Sequence, residues 1–305
     1  MRSGGGGWAR LAGLALVTVA LAVVQPILLA GIPLVVTLAA FGPRDLRAGF
    51  VVAVVLAIAL LGRRTSELWW FERGWPLLLG GTFALVAGWR PRWRFIQRAL
   101  SAVGLAAAVA AAVFGLAPRA WATIDSAMAS RAAASAQDVV NLIGDAASER
   151  MRGAMMEVAH LQAVLFPALL GIGSLAALGV AAWIRGLLVG EEDAVGPLRE
   201  FRFNDHLIWL WVIGLILLLA PVGDVGTRLG GNAVLFMGLL YVVRGFAVAL
   251  TAMGGIPVAA GILGGAVVVI VSPLLAVVLI LALLVGLGDT WLDLRARLGA
   301  SRAGD

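Results

Sequence analysis

From Trp8 to Phe41 the chain runs for 34 residues with one charge, Arg10, and apolar stretches of the same kind recur as far as Gly286. A soluble domain cannot keep that much hydrocarbon from water, whereas a bilayer core of ~30 Å needs only about 20 apolar residues per helix. The chain is therefore expected to be an all-α, polytopic transmembrane helical bundle. Composition agrees: 62% of residues are hydrophobic, 13% are charged and mean hydropathy is +1.01, against roughly 25% charged in globular domains. The net charge of +6 is carried by arginines in short loops between apolar runs. That placement suits topology determinants and argues against a nucleic-acid surface. Cysteine is absent, which removes disulfides, thiolate metal sites and thiol catalysis.

Pro26 and Pro33 divide the first apolar block, because 34 helical residues would measure about 50 Å, too long for one span. The spacing predicts spans near 8–25, 27–41, 47–62, 75–89 and 97–116, with Trp69, Trp70, Trp75, Trp89 and Trp93 where interfacial aromatic belts form. Arg90, Arg92, Arg94 and Arg98 form the strongest cytoplasmic marker. Further spans are expected near 165–184, 207–220 and 232–252, followed by a 31-residue apolar run, Ile256 to Gly286, interrupted by Pro273. That run is one kinked helix or two segments, giving about 8–10 membrane segments in all. One integral membrane domain results, in three parts: spans over 1–117, an insertion over 118–160 and spans over 161–305.

The insertion mixes Asp, Glu, Asn, Ser and Arg with small and apolar residues. Trp121, Ile124, Met128, Val139 and Ile143 fall on one helical stripe. They predict a long amphipathic helix on the extracytoplasmic side and are the candidates for docking a partner chain. Asp138, Asn141, Asp145, Glu149 and Arg152 line another face, read either as a set of oxygen ligands or as a solvated surface.

Within the later spans, Arg244 is the one charge near the middle of an apolar run. Holding Arg there costs about 2.5 to 3.5 kcal/mol on insertion scales, so it should face a carboxylate or a wet cavity. Asp205, Asp224 and Asp289 are the available partners. Arg244, Asp205, Asp289, Tyr241 and Asn232 are the ligand-binding or buried-charge candidates. Gly286-Leu287-Gly288-Asp289 matches the GxGD motif of intramembrane aspartyl proteases, and Pro167-Ala168-Leu169 their PAL tripeptide, with Asp205 as the second carboxylate that such chemistry needs. The two motifs stand in the reverse of that family's order, so proteolysis is a remote alternative. Searches for a P-loop, G-x-S-x-G, H-E-x-x-H and C-x-x-C find nothing. No catalytic residue, metal site or cofactor is expected, and the chain is read as not an enzyme.

The C-terminal third resembles the YybS family of uncharacterised bacterial membrane proteins. The resemblance rests on Phe203 to Trp211, Asn232, the Tyr241-x-x-Arg244-Gly245-Phe246 core and the closing Gly286 to Arg295 segment; the proline-divided N-terminal third fits too. That family is distantly similar to the substrate-binding S components of energy-coupling-factor transporters, helical bundles that carry no ATPase. The resemblance implies a bacterial cytoplasmic (inner) membrane location, a solute-binding or transporter-like subunit, and an energising partner subunit docked near Ala9-xxx-Gly13. The solute is not named by any residue. The alternative is a structural or regulatory membrane protein that docks a partner chain through its amphipathic helix. In either case the lipid bilayer is a partner and nucleic acid is not.

The arginine distribution places both termini in the cytoplasm and 118–160 outside. Reporter fusions near residues 95, 140 and 195 should read inside, outside, inside, and an inside signal at 140 would overturn this topology.

Overall fold

The computed structural model describes residues 68–144, 148–189, 195–253 and 272–297. The spans expected at 8–25, 27–41 and 47–62, and residues 256–271 of the last apolar run, lie outside them. The described residues are helical apart from turns and short connections, without strands. Among the described residues four helices are long and apolar enough to cross a bilayer: Phe95–Leu116, Phe166–Trp183, Gly223–Ala252 and Leu274–Leu292. The chain is an all-α polytopic membrane protein. It divides into two compact units, Met1–Val195 and Gly196–Asp305.

In the first unit, α1 (Trp69–Trp89), α2 (Phe95–Leu116), α3 (Pro118–Ile143), α4 (Glu149–Val164) and α5 (Phe166–Val189) follow one another. Leu79 and Phe83 of α1, Ala99, Ala102 and Val103 of α2, and Leu178 of α5 form one buried cluster. The alanines of α2 let its neighbours approach closely, since small residues bring helix backbones together where no water drives association. Two polar side chains inside the unit satisfy each other. The Trp75 indole donates to Ser174 Oγ at 2.9 Å, and Ser174 donates to the Leu170 carbonyl at 2.6 Å.

The 118–160 segment is two helices, not one. Pro118 opens α3 at its first position, where a missing N–H costs nothing. Gly144 ends it with φ +64°, a conformation that a side chain rarely adopts, and Ser148 caps α4 by accepting from the Met151 amide. The apolar stripe also differs from expectation. Ile124 is buried with Phe71, Trp75 and Ala106, Met128 packs on the same cluster, and Trp121 lies 5.5 Å from the Phe114 ring. Ile143 is half-buried and Val140 buried, while Val139 is 44% exposed. Four-residue steps from Ile124 lead to position 140, and the 3.6-residue period permits either 139 or 140. Asp138 and Asn141 are exposed, as a solvated face requires.

The second unit holds α6 (Ile208–Leu219), α7 (Gly223–Ala252) and α8 (Ser272–Leu292), preceded by two short 3₁₀ turns, Leu198–Glu200 and Asp205–Leu207. α7 begins nine residues before the expected start at 232. α8 runs beyond Gly286, so that Asp289 is inside a helix. At 12 residues α6 is about 18 Å long, too short for a ~30 Å core. Glycines set the register of these helices. Gly245 of α7 lies against the Ala282 backbone and Gly286 of α8 against the Tyr241 carbonyl, so the two helices run antiparallel. Gly214 of α6 meets Ala233 and Gly230 of α7, and Gly238 of α7 faces Trp211 of α6. It follows that α6 covers the first half of α7 and α8 the second. The N-terminus of α6 and the C-terminus of α8 come together near the middle of α7.

A Cβ at Gly245 would collide with the Ala282 carbonyl and one at Gly286 with the Tyr241 carbonyl, and neither backbone group can move aside. Gly288, in the same helix, has open space. Gly245→Ala and Gly286→Ala should each destabilise the protein in detergent by about 1 to 3 kcal/mol, with Gly288→Ala near neutral. Three equal melting temperatures would show that the close α7–α8 contact does not hold the unit together.

Candidate functional site

Where α6 starts and α8 stops, four charges meet. Arg244 comes from the second half of α7, Asp205 from the 3₁₀ turn before α6, Asp289 from the last turn of α8, and Arg295 from the segment after it. Arg244 Nε donates to Asp289 Oδ2 at 2.9 Å, and Arg244 Nη1 donates to Asp205 Oδ1 at 2.5 Å. Arg295 Nη2 donates to the same Asp289 oxygen at 2.8 Å, and its Nη1 donates to the Phe201 carbonyl at 2.9 Å. Two guanidinium and two carboxylate groups balance. Arg244 and Asp289 have no exposed surface, while the Asp205 side chain is 46% exposed. The centre is therefore sealed on the α7–α8 side and open at Asp205.

Aromatic rings wall it. The Arg244 guanidinium lies 5.5 Å from the Phe203 ring centre, and Phe203 meets Tyr241 edge to face at 5.2 Å. The tail is tied to the same place, since Arg202 pairs with Asp293 at 3.1 Å.

Not every polar atom here is used. Arg244 Nη2, Asp289 Oδ1 and Arg295 Nε are buried without a hydrogen-bond partner among the described residues, and the buried Tyr241 and Thr290 hydroxyls lie against each other. Leaving a buried polar group unmet costs about 1 to 3 kcal/mol, more for a charged one. Three such atoms in one centre are groups that water or another polar partner would have to meet.

The structure brings together four of the five sequence candidates, Arg244, Asp205, Asp289 and Tyr241. Asn232 stands apart. It lies 12 residues before Arg244, about 18 Å along the helix, and its side-chain amide donates to the Arg228 carbonyl one turn back. Asp224, at the start of α7, is 20 residues from Arg244. Arg295, Phe203 and Thr290 are members that the sequence did not single out. Arg295 entered the sequence reading only as the end of the Gly286 to Arg295 segment, and its six-residue separation from Asp289 matches no helical spacing. Among the docking candidates, Trp121, Ile124 and Met128 turn into their own unit. Among the described residues no group of three His, Cys, Asp or Glu side chains could hold a metal ion.

Long apolar helices around a buried, charge-balanced centre define a polytopic helical membrane protein. The chain belongs to the family described as "Predicted membrane protein (DUF2232)", whose model matches residues 11–289. No curated protein and no solved structure matches it.

Removing Asp289 would take the shared acceptor from two guanidinium groups. Asp289→Ala is expected to destabilise the protein by about 3 to 5 kcal/mol, and Asp205→Ala, at the open edge, by roughly 1 kcal/mol. Unfolding in detergent checks this order, and an equal loss for both would show that burial does not rank the two pairs.

Proposed function

We propose that the chain is a solute-binding, transporter-like subunit of the bacterial cytoplasmic membrane, with the Arg244 centre as its binding site. The observation that carries this reading is the set of unpartnered buried polar atoms where the short helix α6 starts and α8 ends. Irregular backbone such as the Gly196–Leu207 lead-in, which packs on the second half of α7, is tolerated at membrane depth only where protein buries it or water lines it. Transporter sites are built in this way, from helix ends that stop short inside the bilayer. The resemblance to the YybS family and the S components supports the same reading, as does a chain with no nucleotide-binding motif that would rely on an energising partner. Both termini are placed in the cytoplasm by the arginine distribution.

A second reading draws on the insertion. Leu142 at the end of α3 is 88% exposed, and Val139 is exposed beside it, which suits a structural or regulatory protein holding another chain there. Catalysis has less support. Asp205 and Asp289 each accept from a guanidinium, whereas an aspartyl protease needs its two carboxyl groups free to share a water.

A solute site must be reached by water, and the absence of native cysteine allows a clean test. Cysteines at Asn204 and Asp205 should react with a membrane-impermeant maleimide at least tenfold faster than one at Ile213, which lies on the exposed apolar face of α6. Equal, slow labelling at all three would make the centre a sealed structural ion pair and remove this function.

A further inference from the structure

Arg244 presents two Nη atoms on one edge of its guanidinium, and Asp205 uses only one of them. Its Oδ1 accepts from Nη1, while Nη2 remains buried without a partner among the described residues. A guanidinium edge is best met by a carboxylate that spans both nitrogens with two parallel hydrogen bonds. The resident carboxylate therefore holds the edge by half. It is also the one member of the centre that reaches the open side, on a short 3₁₀ turn capped by Asn204. Without Asp205, the remaining charges are Arg244, Arg295 and Asp289, a net of one positive charge. A monoanion restores neutrality, whereas a dianion such as a phosphate ester would leave a negative charge among buried groups. The other unmet atoms complete the fit. Arg295 Nε and one hydroxyl of the adjacent Tyr241 and Thr290 can donate to an acceptor on the ligand, and Asp289 Oδ1 can accept from a hydroxyl or amide.

We propose that the solute bound at this centre carries a single carboxylate, which takes the place of Asp205 across Nη1 and Nη2 of Arg244. The inference rests on the solute-binding reading above and adds the chemical class of the ligand. Asp205 then acts as a built-in competitor. It neutralises Arg244 in the empty protein and moves to the open side when the ligand arrives. Phe203 and Tyr241, beside the guanidinium, offer apolar surface to the body of the acid. The carboxylate comes from a soluble acid or from a fatty acid of the bilayer, and the recognition is the same for both.

Melting of the full-length protein in detergent tests this, with sodium propionate, sodium dodecanoate below its micellar concentration, propionamide and sodium chloride compared at constant ionic strength. Propionate should raise Tm saturably, by about 3 °C at tenfold excess over half-saturation, and chloride should give no saturable change. A half-saturating concentration at least tenfold lower for dodecanoate identifies a bilayer-borne acid, and similar values a soluble one. Asp205→Asn should bind propionate about tenfold more tightly because the competitor is gone. Arg244→Lys should bind it at least tenfold more weakly while keeping its helical circular dichroism. A wild-type protein indifferent to both acids overturns the inference, as does a response unchanged in Arg244→Lys. The wild-type arm decides even if either variant does not fold. A saturable response to propionamide alone would leave a solute site standing and remove only the carboxylate. Silence toward all probes, together with unreactive cysteines at 204 and 205, would remove both.

Discussion

A guanidinium that no water reaches must be neutralised by the protein, and the second unit is organised around that demand at Arg244. Its Nε–Asp289 bond fixes α8 against α7, and its Nη1–Asp205 bond fixes the lead-in to α6. Arg295 adds a second cation to Asp289 and ties the chain after α8 to the carbonyls of residues 199 and 201. Two stretches distant in sequence, the lead-in to α6 and the end of α8 with its tail, are thus held to one point on α7. The net energy of such an ion-paired set is small, because desolvation offsets most of the attraction. What the pairs confer is position, since any arrangement that separates them leaves a bare charge in hydrocarbon.

The pairs form because the helices come unusually close. Lipid tails are as apolar as leucine, so burying hydrocarbon does not draw helices together in a bilayer, and contact between small residues takes over. Gly245 adjoins Arg244 and Gly286 precedes Asp289 by three residues, less than one turn. These glycines put two backbones in direct contact beside the charges. The charged pair and the glycine pair therefore act together. Larger residues at 245 or 286 would hold α8 away from α7 and stretch the Arg244–Asp289 bond.

How much of this was legible in the sequence follows from what each signal depends on. The membrane class was legible because long apolar runs have no soluble solution. The need of Arg244 for a carboxylate was legible for the same reason, and the short list of acids contained the two that it uses. Which acids those are depends on register, and register is set by glycine contacts that periodicity does not reveal. Arg295 escaped notice because it lies beyond a helix end, where spacing rules lapse. Asn232 stands apart from the centre because a polar residue in a span can also bond to its own helix, as it does to the Arg228 carbonyl. In the insertion, the change from one helix to two turned on Gly144 and Ser148, ordinary residues whose capping roles become visible only in the backbone. The shift from Val139 to Val140 is a one-residue ambiguity inherent in a 3.6-residue period.

The spacing of the centre along the chain also bears on how the protein is made. Asp205 precedes Arg244 by 39 residues, and Asp289 follows it by 45. At about 5 to 20 residues per second, Asp289 leaves the ribosome roughly 2 to 9 s after Arg244. When α7 enters the bilayer, its arginine has Asp205 as the one member of the centre already synthesised and able to neutralise it. The weaker, half-exposed pair is thus the earlier to become available, and the stronger, sealed pair follows. An acid at 205 is thus available to Arg244 from the moment the arginine is made, whereas Asp289 becomes available only after another 45 residues.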